Sequence, residues 1–204
     1  MKIKITAILV IAVTVTSAQE NYNDFDGNFL FSITYKSGRL NVRAKNPFAD
    51  EVNESSHCIK YKRTSVEPYD NIKLLMVRAL KDVLDYSKYD IGAPKIKMKV
   101  YTSAPPGTII EIQLGKQTEM EYPRSVHSQY QAVTSKQNEW EELEFNFLQI
   151  PKGSSVKSNE INQINILFAP GTKKAETFYF DDLTGPSLVA LKNNTGKKNH
   201  FSIK

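Results

Sequence analysis

Two acids on one predicted strand come closest to a catalytic arrangement in this sequence. Glu142 and Glu144 alternate with apolar residues within the segment 140–147. Two carboxylates about 5 Å apart can serve as nucleophile and acid/base in the hydrolysis of a glycosidic bond. Asn146 and Phe147 follow where a third acidic partner would strengthen the pair. A solvated polar face explains the two acids equally well, so an enzyme with an atypical site stays open as an alternative.

Other catalytic signatures are missing from the sequence. The chain has three His and one Cys, and it contains no His-Glu-x-x-His, no Gly-x-Ser-x-Gly and no glycine-rich phosphate loop. Cys58 has no second cysteine to pair with, and its neighbours Ile59 and Tyr61 predict a strand. The residue is therefore interpreted as a small buried hydrophobe. A reactive thiol paired with His57 is the less favoured reading, because adjacent strand residues point to opposite faces.

The two ends of the chain differ in composition from the middle. Lys2 and Lys4, an apolar stretch over residues 5–15 and the small residues before Gln19 predict a signal peptide over 1–18, cleaved after Ala18. The mature protein is then expected outside the cytoplasm: secreted, periplasmic or at the cell surface. Residues 187–204 contain four lysines and no acid, which predicts a flexible basic tail. No other segment is apolar enough to predict a membrane span.

The segment between these ends, residues 19–186, is predicted to be one domain. It carries 21 basic and 22 acidic residues, a net charge of −1. A nucleic-acid-binding domain requires an excess of basic residues, so a nucleic-acid partner is not expected. The length is sufficient for a hydrophobic core without disulfides or metals.

Short segments of alternating polar and apolar residues, separated by turns, run through this domain. Residues 70–78 also fit a helical pattern extending to Tyr86, but a strand followed by a short irregular or helical turn is favoured. Residues 95–114 predict a hairpin in which Lys97 and Lys99 face Glu111 and Gln113. Alternation on every strand predicts an all-β fold, an antiparallel β-sandwich (jelly roll). The predicted strands are 28–35, 40–44, 57–62, 70–78, 96–101, 110–114, 129–134, 140–148, 161–168 and 177–183.

Six segments occur in an order that resembles a known family. They are 24–27 (Asp-Phe-Asp-Gly), 59–63 (Ile-Lys-Tyr-Lys-Arg), 97–108, 127–132, 140–147 and 178–183 (Phe-Tyr-Phe-Asp-Asp-Leu). This order is similar to that of the galactose-binding-like jelly-roll modules attached to secreted bacterial polysaccharide-degrading enzymes, over residues 21–186. The resemblance implies a non-catalytic module that binds a polysaccharide or glycan, and we expect a monomer. A structural or adhesion sandwich that binds proteins at the cell surface is one alternative. A glycoside hydrolase or polysaccharide lyase is the other.

The resemblance also implies a structural calcium ion near the N- and C-terminal strands. Carried over by position, its ligands are Asp26 and Asp182, with Asp181 as the other candidate. Calcium prefers oxygen ligands of this kind. Because Phe178 and Phe180 share strand parity with Asp182, that carboxylate is predicted to point inward. Otherwise, Asp181 and Asp182 only cap the strand end by hydrogen bonding to loop amides.

Recognition of a sugar requires aromatic rings for its C–H faces and planar polar groups for its hydroxyls. Trp140 is the only Trp, and a structural role covering the end of the sandwich is favoured over sugar stacking. His127 and Gln129 share strand parity, whereas the next residue points the other way. The candidate sugar-binding residues on the polar face are Tyr61, Arg63, Tyr101, Arg124, His127, Gln129 and Tyr130.

Overall fold

The computed structural model describes residues 19–23 and 29–190, which form an almost entirely β structure. The single helix in this part of the chain is one turn long, α1 (Val83–Tyr86). None of the helices described is long and apolar enough to cross a membrane. The strands are β1 (Glu20–Asn21), β2 (Phe31–Lys36), β3 (Arg39–Lys45), β4 (His57–Lys62), β5 (Asn71–Met76), β6 (Ile96–Thr102), β7 (Ile109–Gly115), β8 (Val126–Val133), β9 (Trp140–Gln149), β10 (Gln163–Phe168) and β11 (Thr177–Gly185).

The strands form two antiparallel sheets that share β9. The front sheet has the order β2-β5-β10-β7-β8, and residues 146–149 of β9 add to its β8 edge. The back sheet has the order β3-β4-β11-β6, and residues 140–145 of β9 add to its β6 edge. The two sheets are therefore continuous along β9, while β2 and β3 form their other edges. This arrangement confirms the predicted antiparallel β-sandwich (jelly roll).

The predicted hairpin over residues 95–114 is wrong. Strand β6 pairs with β9 and β11 in the back sheet, whereas β7 pairs with β8 and β10 in the front sheet. Residues 103–108 carry the chain from one sheet to the other. Lys97 consequently contacts Glu142 and Glu144 of β9, not Glu111 of β7. Alternation predicts which side of a strand is buried, but it does not predict which strand lies beside it.

Large apolar side chains from the inner faces of both sheets fill the core. Ile110, Ile112 and Leu114 of the front sheet are fully buried. Phe168, also from the front sheet, lies 4.8 Å from Phe178 and 5.6 Å from Phe180 of the back sheet between ring centroids. Burying each such side chain contributes about 1.5–3 kcal/mol, so this contact between sheets holds the sandwich together.

Two local predictions agree with the structure and a third is revised. Strand β5 ends at Met76 and a single helical turn follows, as favoured from the sequence. Cys58 is fully buried, and this burial raises the pKa of its thiol to about 12. The predicted tail begins too early: Leu188 is only 4% exposed, and Val189 donates a hydrogen bond to the Ala79 carbonyl. The predicted signal peptide and residues 191–204 lie outside the described residues.

Candidate functional site

The outer face of the front sheet carries a connected group of polar side chains. Their neighbours on the same strands, such as Ile112 and Tyr130, point into the core, so these alternate positions must point outward. Cross-strand pairing places Gln113 opposite Gln129, and Glu111 opposite Gln131. We call this group the amide face; it consists of Glu111 and Gln113 on β7, Gln129 and Gln131 on β8, Gln149 on β9 and Asn165 on β10.

One carboxylate organises the amide face. Glu111 Oε1 accepts hydrogen bonds of 2.8 Å from both Gln113 Nε2 and Gln129 Nε2. Glu111 Oε2 accepts a third bond of 2.7 Å from Gln131 Nε2. Bonds to an ionised acceptor are stronger than neutral ones, so they hold the three amide groups in fixed orientations. Each NH₂ group points toward Glu111, and each carbonyl oxygen is directed away from it.

The network continues to the neighbouring strands. Gln129 Oε1 accepts a 2.9 Å hydrogen bond from Gln149 Nε2. Gln113 Oε1 accepts a 3.3 Å bond from Asn165 Nδ2. The amide face is therefore a single hydrogen-bonded unit that crosses four strands.

Buried polar atoms on strands of the front sheet lack a hydrogen-bond partner within the protein. Two of them are Asn165 Oδ1 and His127 Nδ1. Burial lowers the pKa of His127, which favours its neutral form. A buried polar atom without a partner costs about 1–3 kcal/mol, so a ligand hydroxyl that bonded to either atom would recover part of that free energy.

A direct row of cross-strand pairs carries the face to the β2 edge of the front sheet. Lys73 of β5 pairs with Asn165, and Tyr35 of β2 pairs with Lys73. The Tyr35 side chain is 48% exposed, and Lys73 Nζ lies 5.4 Å from its ring centroid. Neighbouring strands lie about 4.8 Å apart, so the row over six strands is about 24 Å long. The row is Tyr35, Lys73, Asn165, Gln113, Gln129 and Gln149.

Three of the seven predicted sugar-binding residues are not on an outer face, which corrects their predicted placement. Tyr61 is fully buried, stacks on Phe168 at 5.2 Å and accepts a hydrogen bond from the Gly38 amide through its hydroxyl. Tyr130 is 1% exposed inside the sandwich, as its strand parity requires. Arg63 is 3% exposed, and its guanidinium is bonded within the protein.

Arg63 has a structural environment instead. Its Nη1 donates a 2.6 Å bond to Thr172 Oγ1, and its Nη2 donates a 2.7 Å bond to the Thr172 carbonyl. The carboxylates of Asp70 and Glu176 each lie 3.9 Å from the guanidinium. These contacts tie the loop after β4 to the loop after β10.

The other four predicted residues lie in three separate places. Tyr101 is on the outer face of the back sheet, 5.8 Å from Trp140 and 5.7 Å from Tyr179 between ring centroids. Arg124 is exposed in the loop between β7 and β8. His127 and Gln129 lie on β8, where Gln129 belongs to the amide face and His127 lies at a shift in the register with β7. The seven residues therefore do not form one site.

Trp140 has a structural role, as favoured from the sequence, but it lies on the outer face of the back sheet and not at the end of the sandwich. It is fully buried, and its Nε1 donates a 3.0 Å hydrogen bond to Asn46 Oδ1. The ring lies against the outer face of the back sheet under the loop that follows β3. It is not available for stacking on a sugar.

One of the two aspartates of β11 departs from the direction that strand parity predicted. The backbone of Asp182 has φ 46°, and the register with β6 shifts between Asp181 and Thr184. This bulge turns Asp182 outward, where its Oδ2 lies 2.7 Å from Lys99 Nζ. The prediction that Asp182 points inward is therefore wrong, and Asp181 is the fully buried residue. Asp26 lies outside the described residues.

Asp181 has one carboxylate oxygen free of hydrogen bonds. Its Oδ1 accepts a 2.9 Å bond from the Asp182 amide, whereas its Oδ2 is buried without a partner. Burial, together with the charge of Asp182, raises the pKa of Asp181 to about 6. Within residues 19–23 and 29–190, no group of three or more His, Cys, Asp or Glu could hold a metal ion. Of the predicted calcium ligands that the structure describes, Asp181 has one buried oxygen without a partner and Asp182 is paired with Lys99.

Sequence reasoning missed most of the amide face. Of its six members, only Gln129 was predicted. The available signal was the pair of Glu or Gln residues at alternate positions on two successive strands, 111 and 113, then 129 and 131. The predicted hairpin pairs β7 with β6, whereas the structure pairs β7 with β8, so the prediction does not bring these four residues together.

Comparisons with known proteins add information about the fold. No protein-family model matches the sequence, and no curated protein matches it. Among solved structures, the agarase AgWH50C matches with a TM-score of 0.50 and 9% identity, over 85% of this chain. The match covers 25% of the agarase, so this chain corresponds to about a quarter of that enzyme. At this identity, the match supports the sandwich fold alone.

Carbohydrate-binding modules are also among the similar structures. A family 11 module from Clostridium thermocellum, in complex with a β-1,3-1,4-mixed-linked tetrasaccharide, has a TM-score of 0.49 and 13% identity over 81% of this chain and 94% of its own. A family 30 module from a cellulosomal cellulase of the same organism has a TM-score of 0.47 and 11% identity, over 81% and 96% of the two chains.

Proposed function

We propose that this chain is a non-catalytic carbohydrate-binding module and that a glycan chain lies across the amide face. The observation that supports this most is the preorganised network around Glu111. Three amide groups have fixed orientations, and the buried Oδ1 of Asn165, another member of the network, lacks a partner. A site for a polyhydroxylated ligand needs both oriented hydrogen-bond donors and oriented acceptors.

The chemistry of a sugar suits this surface. Each hydroxyl both donates and accepts a hydrogen bond, and a carboxamide offers two donors and one acceptor in one plane. Glu111 takes one N–H of each of three amides, and the carbonyl oxygens of Gln113 and Gln129 each accept one bond within the network. Each of these two amides therefore retains one N–H and one acceptor position for a ligand. Tyr35 supplies an exposed ring at one end of the row, where it can stack on the C–H face of a sugar.

The absence of catalysis is part of the proposal. Glu111 is the only carboxylate on the strand segments of the front sheet. Hydrolysis of a glycosidic bond requires two carboxyl groups flanking that bond. Glu142 and Glu144 lie on the outer face of the back sheet, where both contact Lys97. They therefore do not supply a second acid to a ligand on the amide face.

Export of the protein belongs to the same proposal. A module that binds polysaccharide meets its ligand outside the cytoplasm, in agreement with the predicted signal peptide over residues 1–18. The export assay is simple: expression of the full chain and of a chain lacking residues 2–18 should give processed extracellular protein only from the first.

A structural calcium ion is proposed with Asp181 as its ligand from the described residues. The ion would supply positive charge that stabilises the buried carboxylate. Asp182 is excluded as a partner by its contact with Lys99. Chelation by EDTA should lower the Tm of the wild type, since an ion bound only to the folded state stabilises it. If EDTA changed the Tm of neither the wild type nor Asp181→Asn, the proposed ion would be rejected.

Binding should be tested by affinity electrophoresis and isothermal titration against mixed-linkage glucan, xylan, agarose and alginate. Retention on at least one polymer is expected. The double variant Gln113→Ala/Gln129→Ala should weaken it by about tenfold or more, because each lost hydrogen bond contributes about 0.5–1.5 kcal/mol. Gln137→Ala is the matched control, since Gln137 lies in the exposed turn before β9. Failure of the whole panel to bind, or equal binding by the double variant, would contradict the proposal.

A further inference from the structure

The open seam between the two sheets contains a groove. Strand β2 pairs only with β5, and β3 pairs only with β4, so each keeps one unpaired edge. Residues 33–36 of β2 and 40–42 of β3 line a groove of about 700 Å³ between them. Ligand sites commonly fall between about 300 and 1,000 Å³, so the groove is large enough to hold part of a chain-like ligand.

The turn that joins β2 to β3 keeps the groove open. The Ser37 amide donates a hydrogen bond to the Asn71 carbonyl at the start of β5. The Gly38 amide donates to Tyr61 Oη, and a Cβ at Gly38 would come within 2.3 Å of the Lys62 carbonyl. The turn is thus attached to both sheets at once. It holds β2 and β3 apart, which prevents them from pairing as a hairpin.

Positive charge is concentrated around this groove. The strands β2, β3, β4 and β5 carry seven Lys or Arg residues and no Asp or Glu. No acidic side chain in the described part of the chain lies within ion-pair distance of these seven. Residues 19–186 together carry a net charge of −1, so the charge of the domain is strongly segregated. We call these residues the basic seam: Lys36, Arg39, Arg43, Lys45, Lys60, Lys62 and Lys73.

Protection of the sheet edges explains only part of the basic seam. Lysines and arginines on an edge strand discourage pairing with other chains. However, Lys60 and Lys62 lie on β4 and Lys73 lies on β5, and both strands have neighbours on either side. Arg39 and Lys62 are direct cross-strand partners. Like charges in this position destabilise a sheet, so an external anion would relieve the repulsion.

The groove is continuous with the amide face. Tyr35 lines the groove and is also the first residue of the 24 Å row. Lys73 lies over the Tyr35 ring and pairs with Asn165 of the amide face. A chain that crosses the amide face toward β2 therefore arrives among the cations of the basic seam. Of the residues that line the groove, Lys36 alone is charged, and the other six cations of the basic seam lie on the strands around it. Charges of one sign around a groove favour a ligand of the opposite sign.

We propose that the glycan is anionic: the groove between β2 and β3 binds the sulfate or carboxylate groups of a polysaccharide whose sugar rings lie on the amide face. This inference rests on the proposed function. It adds a second contact region to the same ligand and specifies its charge. Sulfate and carboxylate share the chemistry that Lys and Arg recognise, namely negatively charged oxygens.

The test compares polymers that share one backbone: dextran, dextran sulfate and carboxymethyl dextran. Affinity electrophoresis and titration should show binding of at least one charged polymer about tenfold or more tighter than dextran, with an advantage that falls as NaCl increases. Comparison of dextran sulfate with carboxymethyl dextran shows whether sulfate or carboxylate is preferred. Equal binding of dextran and both charged polymers would overturn the inference.

Charge-matched variants locate the binding region. Arg39→Gln/Lys62→Gln/Lys73→Gln removes three charges from the basic seam. Lys152→Gln/Lys173→Gln/Lys174→Gln removes three from exposed loops elsewhere. The first variant should lose about tenfold or more in affinity for the charged polymer and flatten its salt dependence, while the second should change both only slightly. Equal losses in the two variants would overturn the inference. Circular dichroism and Tm identify a variant that fails to fold, for which Lys62→Gln alone serves as the substitute.

The outcomes separate this inference from the proposed function. Binding of neutral glycans that depends on Gln113 and Gln129, without preference for charge, would leave the function standing and reject the anionic ligand. Absence of binding to every polysaccharide would reject both. The last ligand tested is duplex DNA. If the basic seam bound DNA as tightly as the charged polysaccharides, it would be a general polyanion site. That result would also overturn the inference.

Discussion

The outer faces of the two sheets are built from the same alternating pattern, yet they differ in chemistry. On the back sheet, Lys97 and Lys99 form ion pairs with acids of β9 and β11. On the front sheet, the polar groups are mainly carboxamides arranged around Glu111. The lysines of β6 on the back face are paired with acids, whereas the front face holds one carboxylate surrounded by amide groups. The contrast separates a face stabilised by ion pairs from a face stabilised by hydrogen bonds among carboxamides and one carboxylate.

The two outer faces also differ in whether a loop is bonded across them. Trp140 and Asn46 join the back sheet to the loop that follows β3. None of the hydrogen bonds described joins a loop side chain to the amide face in this way. The back face is therefore expected to contribute mainly to stability, and the front face mainly to binding.

Removal of Trp140 tests this division with the largest expected effect. Trp140→Ala should lower the free energy of unfolding by about 3–5 kcal/mol, because it deletes a fully buried ring and leaves a cavity. Binding at the amide face should be retained by the folded fraction. Urea unfolding and affinity electrophoresis measure the two quantities. Tyr122→Ala is the control, since Tyr122 is 58% exposed and its loss should cost no more than about 0.5 kcal/mol.

Replacement of Glu111 in the amide face should affect binding more than stability, the reverse of the effect of Trp140→Ala. Glu111→Gln substitutes an NH₂ group for one of the oxygens that accept from Gln113, Gln129 and Gln131. At least one donor is left without a partner, at a cost of about 1–3 kcal/mol in stability. Glycan binding should fall by about tenfold or more, because the amides lose their fixed orientation. Wild-type affinity in a folded Glu111→Gln variant would contradict the role of the carboxylate as organiser.

The pH dependence of stability provides a finer test of the front face. Burial lowers the pKa of His127 in the folded state. Below the unfolded-state pKa near 6.5, the unfolded chain gains a proton that the folded chain does not, so stability falls as the pH decreases toward the folded pKa. His127→Gln should remove this loss between pH 7 and pH 5. Urea unfolding at several pH values measures it.

His57 provides the control for that experiment. It is partly exposed at the start of β4, and its Nδ1 is bonded to Ser56 Oγ. His57→Gln should leave the acid-dependent loss of stability in place. An equal flattening of the pH profile by both substitutions would show that burial of His127 is not the cause.

The sequence predicted the fold class and most strands, because alternation reflects burial at each position. It could not predict strand partners, which depend on contacts between distant segments. The lysines of β6 and the Glu and Gln of β7 formed a plausible hairpin, but the chain crosses between the sheets at residues 103–108. The amide face depends on the pairing of β7 with β8, and it was therefore missed apart from Gln129.

Bulges account for the remaining errors of placement. A single residue of positive φ at Asp182 turns that side chain outward, against its strand parity. A register shift between Ile33 and Tyr35 sets the position of Tyr35 opposite Lys73. Strand parity carries no information on where such a shift occurs, since one extra residue reverses every later direction.

The ion pairs of the back face should yield the smallest effect. Lys97 Nζ lies 3.1 Å from Glu142 Oε1 and 2.7 Å from Glu144 Oε1, and hydrogen bonds to these two acids raise the pKa of Lys97. All three side chains are partly exposed, so solvent screens the attraction and each pair contributes about 0–1 kcal/mol. Lys97→Ala should thus change the Tm only slightly and leave glycan binding intact.

The same face decides whether the two acids have a catalytic role. Glu144→Gln removes the closer partner of Lys97 and the residue that a hydrolase would need. We expect no turnover of any glycan by the wild type and no change in binding by this variant. If the wild type released product from a glycan and Glu144→Gln abolished that activity, the back face would be the catalytic face. The division of the molecule into a stabilising face and a binding face would then be reversed.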